Sequence, residues 1–391
     1  MTPFRTSSTP AFRMALNGLI ALAVAMGIGR FAFTPQLPLM QAELDLSLAA
    51  GGWLAGANYL GYLVGAMLAG RRGMSAALLM RSGLWAVIAT TAAMALPGPV
   101  AWWLAMRFIA GMASAWVLVG TATLVLACLA RMGKRRFDGL VFAGVGTGIA
   151  LAGLICYGGS LLGMGVAALW LALAALALAG TLIVRTGEAS GVVNGAAASA
   201  PVQLAGDDSR SHHRLVLCYG LFGFGYILPA TYLPSQARLL LGDPALSGWV
   251  WPLFGIAAAL STLSIALLAR WPRKQTWARA QVVMAAGVAL PAMMPGLTAL
   301  AMAALCVGGT FMLITLLGLQ QAREQAGAHA QKRLAAMTAA FAAGQLAGPI
   351  AVNVLLKLGW ALDAALWMGT IALLTSSTLL VFPSPQILQE H

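Results

Sequence analysis

Carboxylates are scarce in this chain of 391 residues. Ten Asp and Glu stand against 23 Lys and Arg, and charged residues of both signs make up only 8%. A soluble domain carries about a quarter of its residues as charges and roughly 45–50% as apolar side chains. Here 60% are apolar and the mean hydropathy is +0.86, which argues against a water-soluble enzyme. Histidine and cysteine are equally sparse, at four each. Cys128, Cys156, Cys218 and Cys306 fall in apolar runs without metal-ligand spacing, so they read as small buried hydrophobes. His212 and His213, with Asp207 and Asp208 nearby, lie in a polar stretch, and His329 and His391 in a loop and a tail; no metal is expected. No Gly-rich loop ending in Lys-Ser/Thr occurs, so the chain does not read as an ATP-driven pump. Only Arg5 and Arg13 precede the first apolar run, which lacks a convincing cleavage site and reads as a retained span.

Apolar length is what the sequence does have. A bilayer core of ~30 Å takes about 20 residues of helix, so twelve spans would use roughly 250 residues and leave about 140 for loops and tails. A separate catalytic or nucleic-acid-binding domain has no room. Hydrophobic windows predict spans near 14–38, 47–70, 75–96, 100–129, 139–160 and 164–184. A second set falls near 215–236, 247–269, 277–294, 297–320, 334–356 and 362–382. The organisation expected is an all-α membrane protein: one six-helix bundle over 1–184, a linker rich in Ala, Gly and Ser over 185–214, and a second bundle over 215–391. With the N-terminus inside, the inner segments hold 19 of the Lys and Arg residues, while the outer loops hold only Arg238 and Lys357. The net charge of +13 is therefore a topology signal and not a nucleic-acid surface. Both termini and the linker are expected in the cytoplasm.

The two halves repeat. An offset of 196 residues pairs Gly27 with Gly223, Gly29 with Gly225, Leu37 with Leu233, Pro38 with Pro234, Gly52 with Gly248 and Trp53 with Trp249. Gly148 and Gly344 share the offset. Parallel six-helix repeats place a substrate site near mid-membrane between them. Local motifs agree. Arg107-Phe-Ile-Ala-Gly111 resembles the Arg-x-x-x-Gly motif of the major facilitator superfamily, and Gly344-Gln-Leu-Ala-Gly348-Pro349 resembles its antiporter Gly-Pro motif. Gly65 to Gly73 resembles its loop signature without the usual aspartate. Gly27-Ile-Gly-Arg30-Phe-Ala-Phe-Thr-Pro35 and Trp53-Leu-Ala-Gly-Ala-Asn58-Tyr-Leu-Gly-Tyr62 are similar to its YbfB/YjiJ-like branch. The resemblance implies two pseudo-symmetric bundles and transport; it supplies no substrate.

All acidic residues lie outside the predicted spans or at their ends, whereas Arg30 and Arg107 sit deep within them. A charge at the centre of a span costs at least ~2.5–3.5 kcal/mol, so each needs a reason. Arg30 lies ~12 Å and Arg107 ~10 Å from the outer ends of their spans, at 1.5 Å per residue, which brings them to one depth. One reading has them facing a central cavity and binding an anionic or acceptor-rich solute through guanidinium forks. The other has Arg107 bonding carbonyls at the Gly-rich end of a neighbouring helix, with Arg30 extending outward. Organophosphate antiporters of the superfamily use arginines in spans one and seven; the repeat mate of Arg30 is Tyr226, which disfavours a phosphate ester.

Asn58 and Tyr62 are four apart on one helical face, with Tyr59 beside them, and either line the cavity or tie helices together. Tyr226, Tyr232, Gln345 and Asn353 are weaker candidates of the same kind. Trp53, Trp102, Trp103, Trp249, Trp251, Trp271, Trp277 and Trp360 are expected in the interfacial aromatic belts. Gly144-Val-Gly146-Thr-Gly148 has no preceding strand, so it reads as a smooth helix face and not a nucleotide loop, and Gly348-Pro349 is expected to bend span eleven. The reading that results is a secondary transporter of a bacterial inner membrane, moving a small organic solute, an anion or an exported metabolite among the options. Its partners are the lipid bilayer, that solute and a coupling proton or counter-solute; no cofactor and no nucleic acid are expected, and the chain is taken as a monomer. A membrane-embedded enzyme and a non-transporting receptor or scaffold are the alternatives. The enzyme would require an acid, base or nucleophile that the spans do not offer.

Overall fold

Lipid offers no water to backbone N–H and C=O groups, so an apolar chain satisfies them inside helices. The computed structural model describes residues 9–69, 75–184, 209–241, 248–264, 270–294, 296–326 and 330–381, and all regular structure among them is helical. The first span is broken. Thr9–Leu22 runs into a π-helical segment, Ala23–Ile28, then a turn, and helix resumes over Phe33–Glu43. Leu48–Ala69, Ala76–Ala93, Val100–Thr121, Asp138–Leu161 and Val166–Ile183 follow, the fourth span being prolonged by a second π segment, Ala122–Leu126, and by Ala127–Arg131. The second half comprises Ser209–Leu241, Val250–Leu263, Arg273–Met293, Leu297–Ala326, Ala330–Lys357 and Leu362–Val381.

Among the described residues, nine stretches are long and apolar enough to cross a bilayer on those grounds alone. Val250–Leu263 is shorter, Leu48–Ala69 carries Asn58, Tyr59 and Tyr62, and Arg273–Met293 opens on charged residues. These three complete the twelve expected. The seventh span begins at Ser209 and not near 215, so the last residues of the expected 185–214 linker, His212 and His213 among them, are helical; the rest of it, 185–208, lies outside the described residues. Span eleven continues through Pro349 as one helix.

The break in span one has a local cause. Pro35 has no N–H to give, and its ring crowds the carbonyl four residues back, that of Phe31. That carbonyl instead accepts the Thr34 N–H at 3.2 Å. Upstream, the Gly29 N–H reaches Val24 O at 3.0 Å and the Phe31 N–H reaches Met26 O at 3.1 Å, the wide i→i−5 pattern of a π-bulge. Carbonyls around 25–30 are thereby turned toward side chains of other spans.

Glycine sets how closely the helices approach. A Cβ on Gly27 would strike the backbone of Gly148 in span five, and one on Gly148 would strike Ala23. The repeat-related pair behaves alike: Gly223 abuts the backbone of Phe341, and Gly344 that of Gly220. Gly146 and Gly255 bring spans five and eight, one from each half, backbone to backbone at Ala259 and Ala150. The halves also meet where Thr34 Oγ1 donates to Ala230 O at 3.2 Å. These residues are 196 apart, the repeat offset, so they lie beside the pseudo-two-fold axis.

The outside of the bundle is apolar. Leu154, Leu171, Leu182, Leu260, Met302 and Ile371 are exposed, a surface suited to acyl chains and not to water. Trp53, Trp102, Trp271 and Trp360 are exposed as belt residues would be. Trp251 and Trp277 are not: both are fully buried, Trp251 stacked on Phe254 at 4.8 Å and Trp277 edge-on to Tyr219 at 6.0 Å. Trp103 is buried as well. The belt expectation fails for these three because position along a span does not say which way a ring faces.

Gly148→Leu should lower the melting temperature of the detergent-solubilised protein by several degrees, the overpacking costing about 1–3 kcal/mol. Gly158→Leu, on the same helix with open space around it, should leave it unchanged. Equal melting curves for the two variants would show that the close crossing is not structural.

Candidate functional site

The broken segment of span one is braced from spans two and four. Arg107 Nη1 donates to Gly29 O at 3.3 Å and Nη2 to Arg30 O at 3.0 Å, while Phe33 lies 4.8 Å from its guanidinium carbon. Asn58 Nδ2 donates to Arg107 O at 2.9 Å and, at 3.5 Å, to Gly29 O. Ser114 Oγ donates to Ala25 O at 2.7 Å. Arg107 and Asn58 are both buried, and the contacts of Arg107 are those of the carbonyl-bonding reading. This brace fixes the backbone from which Arg30 projects.

Arg30 is only 2% exposed, yet it does not extend to a membrane surface. That half of the structural expectation is overturned: the side chain turns into the space between the halves. Its Nη2 donates to Gln345 Oε1 in span eleven. Gln345 Nε2 donates in turn to Tyr226 OH in span seven, at 2.6 Å. Arg30 Nε and Nη1 have no acceptor. Aromatic rings surround the cation, Tyr62 at 4.0 Å, Phe31 at 5.3 Å, Tyr59 at 5.6 Å and Phe341 at 6.0 Å from ring centre to guanidinium carbon. Such contacts are worth ~2 kcal/mol when desolvated and supply no hydrogen-bond acceptor.

Arg30 sits at the head of a cavity between the halves. Met26, Tyr62, Leu118, Phe142 and Val145 line one side; Tyr219, Phe311, Met312, Thr315, Leu319, Thr338 and Phe341 line the other. The space extends toward the end of the bundle that carries Arg13, Arg131, Arg214 and Arg333. Beyond Arg30, toward the opposite end, the halves are joined. Tyr59 OH pairs with Thr231 Oγ1 at 3.0 Å, Arg238 Nη1 donates to Pro38 O at 2.7 Å, and Gly52 packs on the Tyr232 hydroxyl and the Asn353 amide. The halves are tied on one side of Arg30, and the pocket lies on the other.

The structure thus brings Arg30, Tyr62, Tyr226 and Gln345 to one point, with Tyr59 just beyond it in the seal. Arg107 and Asn58 stand behind, against backbone. Sequence reading missed Phe31, Phe311 and Phe341. The ring of Tyr226 stacks between Phe311, at 4.6 Å and 10°, and Phe341, at 5.5 Å and 8°. A phenylalanine inside an apolar helix carries no signal of its own; only its juxtaposition with Arg30 marks it.

Twelve helices in two pseudo-symmetric halves, with a cavity between them, define a membrane transporter of the major facilitator type. The chain belongs to the family described as "Uncharacterised MFS-type transporter YbfB", whose sequence model matches residues 22–381. Among solved structures it is similar to a mutant form of the nucleoside transporter NupG, with a TM-score of 0.70 at 14% identity, covering 95% of this chain and 98% of that one. Comparison with curated proteins returned no match. The protein is therefore a multi-pass membrane transporter of a small molecule and not an enzyme.

Arg107→Met removes two donors from buried carbonyls, a loss of about 1–3 kcal/mol for each group left unsatisfied. The purified variant should melt several degrees below wild type, and Arg107→Lys should recover part of the difference. Unchanged melting in Arg107→Met would remove the brace from the account.

Proposed function

We propose that the protein is a secondary transporter of a small organic anion, with Arg30 as the group that binds it. The observation that carries this reading is a buried guanidinium with two N–H-bearing nitrogens lacking acceptors, at the head of a cavity between two halves. Among the described residues the fully buried charges are Arg30 and Arg107, both positive, so the site attracts anions and has no carboxylate to neutralise them. Tyr62, Gln345 and Tyr226 surround Arg30, Gln345 as the partner that it has in this conformation, and Tyr59 belongs to the gate beyond. Arg107 and Asn58 act through the backbone they hold.

Transport follows by alternating access of the bundles 1–184 and 215–391, joined by the segment 185–214. The basic end faces the cytoplasm of a bacterial inner membrane, which makes the conformation here inward-facing and outwardly sealed. Among the described residues no carboxylate is buried, which supports coupling through a counter-solute or a protonated form of the solute.

Flux of a panel of labelled organic anions across proteoliposomes tests the reading. Arg30→Ala should reduce flux at least tenfold with insertion intact, and Arg30→Lys should keep part of it, since an ammonium retains charge without the planar fork. Wild-type flux in Arg30→Ala would sink the proposal. A cysteine placed between 185 and 208 should react with an impermeant thiol reagent only from the cytoplasmic side; reaction from outside would overturn the topology.

A further inference from the structure

The cavity below Arg30 has walls of one chemical kind. Met26, Tyr62 and Phe142 face Tyr219, Phe311 and Phe341. Two of the polar groups at its second wall donate to backbone: Thr315 Oγ1 to Phe311 O at 2.9 Å, and Tyr219 OH to Thr315 O at 3.4 Å. The charged group that a ligand meets is the guanidinium of Arg30, with two nitrogens lacking acceptors, set among aromatic rings.

That donor set discriminates. Among the described residues no carboxylate lines the cavity, so an ammonium group on the solute would be buried without a partner. A second acidic group would lie among rings with no second cation among those lining residues, since Arg107 is turned to backbone. The hydroxyls of a sugar would be left largely unpaired, each at a cost. An aromatic body suits the rings that line the cavity, Phe311 and Phe341 among them, with which it can make offset or edge contacts.

Gln345 shows where the charged end goes. Its Oε1 accepts from one of the two N–H groups of Nη2, so one bidentate edge of the guanidinium is held by a neutral amide and the other is open. A carboxylate on the held edge makes two parallel charge-assisted bonds in place of one bond to a neutral amide. The displaced amide keeps Tyr226 OH as a partner. Resting on the anion reading above, we propose that the solute is an aromatic monocarboxylate whose carboxylate replaces the Gln345 carboxamide at Arg30. Because Arg30 belongs to one half and Gln345 to the other, the same exchange breaks a bond between the halves.

The test uses the purified full chain in detergent, with binding read by isothermal titration. Benzoate and phenylacetate are the probes. Acetate lacks the ring, phthalate adds a carboxylate, phenylalanine adds an ammonium, and benzyl alcohol lacks the charge. The two probes should bind at least tenfold more tightly than any of these four, and Arg30→Met should abolish their binding. Gln345→Ala, with no placeholder to displace, should tighten them several-fold; Gln345→Glu, a tethered carboxylate, should abolish binding. A folding defect cannot produce both Gln345 results. Arg30-dependent binding of acetate or phthalate that equals benzoate would overturn the aromatic monocarboxylate and leave an anion site standing. Benzoate binding unchanged in Gln345→Glu would overturn the displacement. Binding of none of these anions, or binding unchanged in Arg30→Met, would overturn the inference and the anion reading together.

Discussion

A positive charge buried between two helical bundles, with no negative charge among the described residues to meet it, is the constraint on which the rest of this structure depends. Arg30 is held there by three things: a helix break that lets its backbone turn, a brace that keeps the break in place, and aromatic faces that replace part of its hydration. The break follows from Pro35 and the glycines before it. The brace comes from Asn58, Arg107 and Ser114, which occupy carbonyls at Ala25, Gly29 and Arg30 or tie those donors together. Without it, the π-bulged turn would leave polar groups exposed to an apolar interior.

The two arginines share a depth but not an energy balance. Hydrogen bonds from a charged donor are worth about 1.5–3 kcal/mol each, so two bonds to carbonyls offset the burial cost of Arg107. Arg30 has one bond to a neutral amide and the attraction of ring faces, and two of its nitrogens stay without acceptors. Arg107 is left with Nε alone unpaired, whereas Arg30, on the reading proposed above, is completed by the solute. On that reading the difference in hydrogen bonding, more than depth, separates a positioning residue from a binding residue.

The way the halves meet is consistent with motion between them. Spans five and eight touch backbone on backbone at Gly146 and Gly255, which leaves a smooth contact there. On the sealed end the recorded ties are single polar pairs, Tyr59 with Thr231, Thr34 with Ala230 and Arg238 with Pro38. Pairs of this kind contribute about 1 kcal/mol net, so a rearrangement that replaces them with water costs little. Burying the Tyr232 hydroxyl and the Asn353 amide nitrogen without partners in the same layer weakens the seal further.

Hydropathy, helix-length runs and basic loops determined the number of spans and their boundaries to within a few residues, and the 196-residue offset determined the repeat. These are properties of the chain against a bilayer, and they need no knowledge of which helix touches which. The sequence also singled out Arg30 and Arg107, because a charge in an apolar run stands out. It could not sort them, since the carbonyls that satisfy Arg107 are freed by a π-bulge in another span. It could not place Trp251 and Trp277 inside, or find Phe311 and Phe341, because an apolar ring looks the same to the pattern whether it meets lipid, core or cavity. Which face of a uniformly apolar helix turns inward is set by the neighbours packed against it, and only the tertiary structure supplies them.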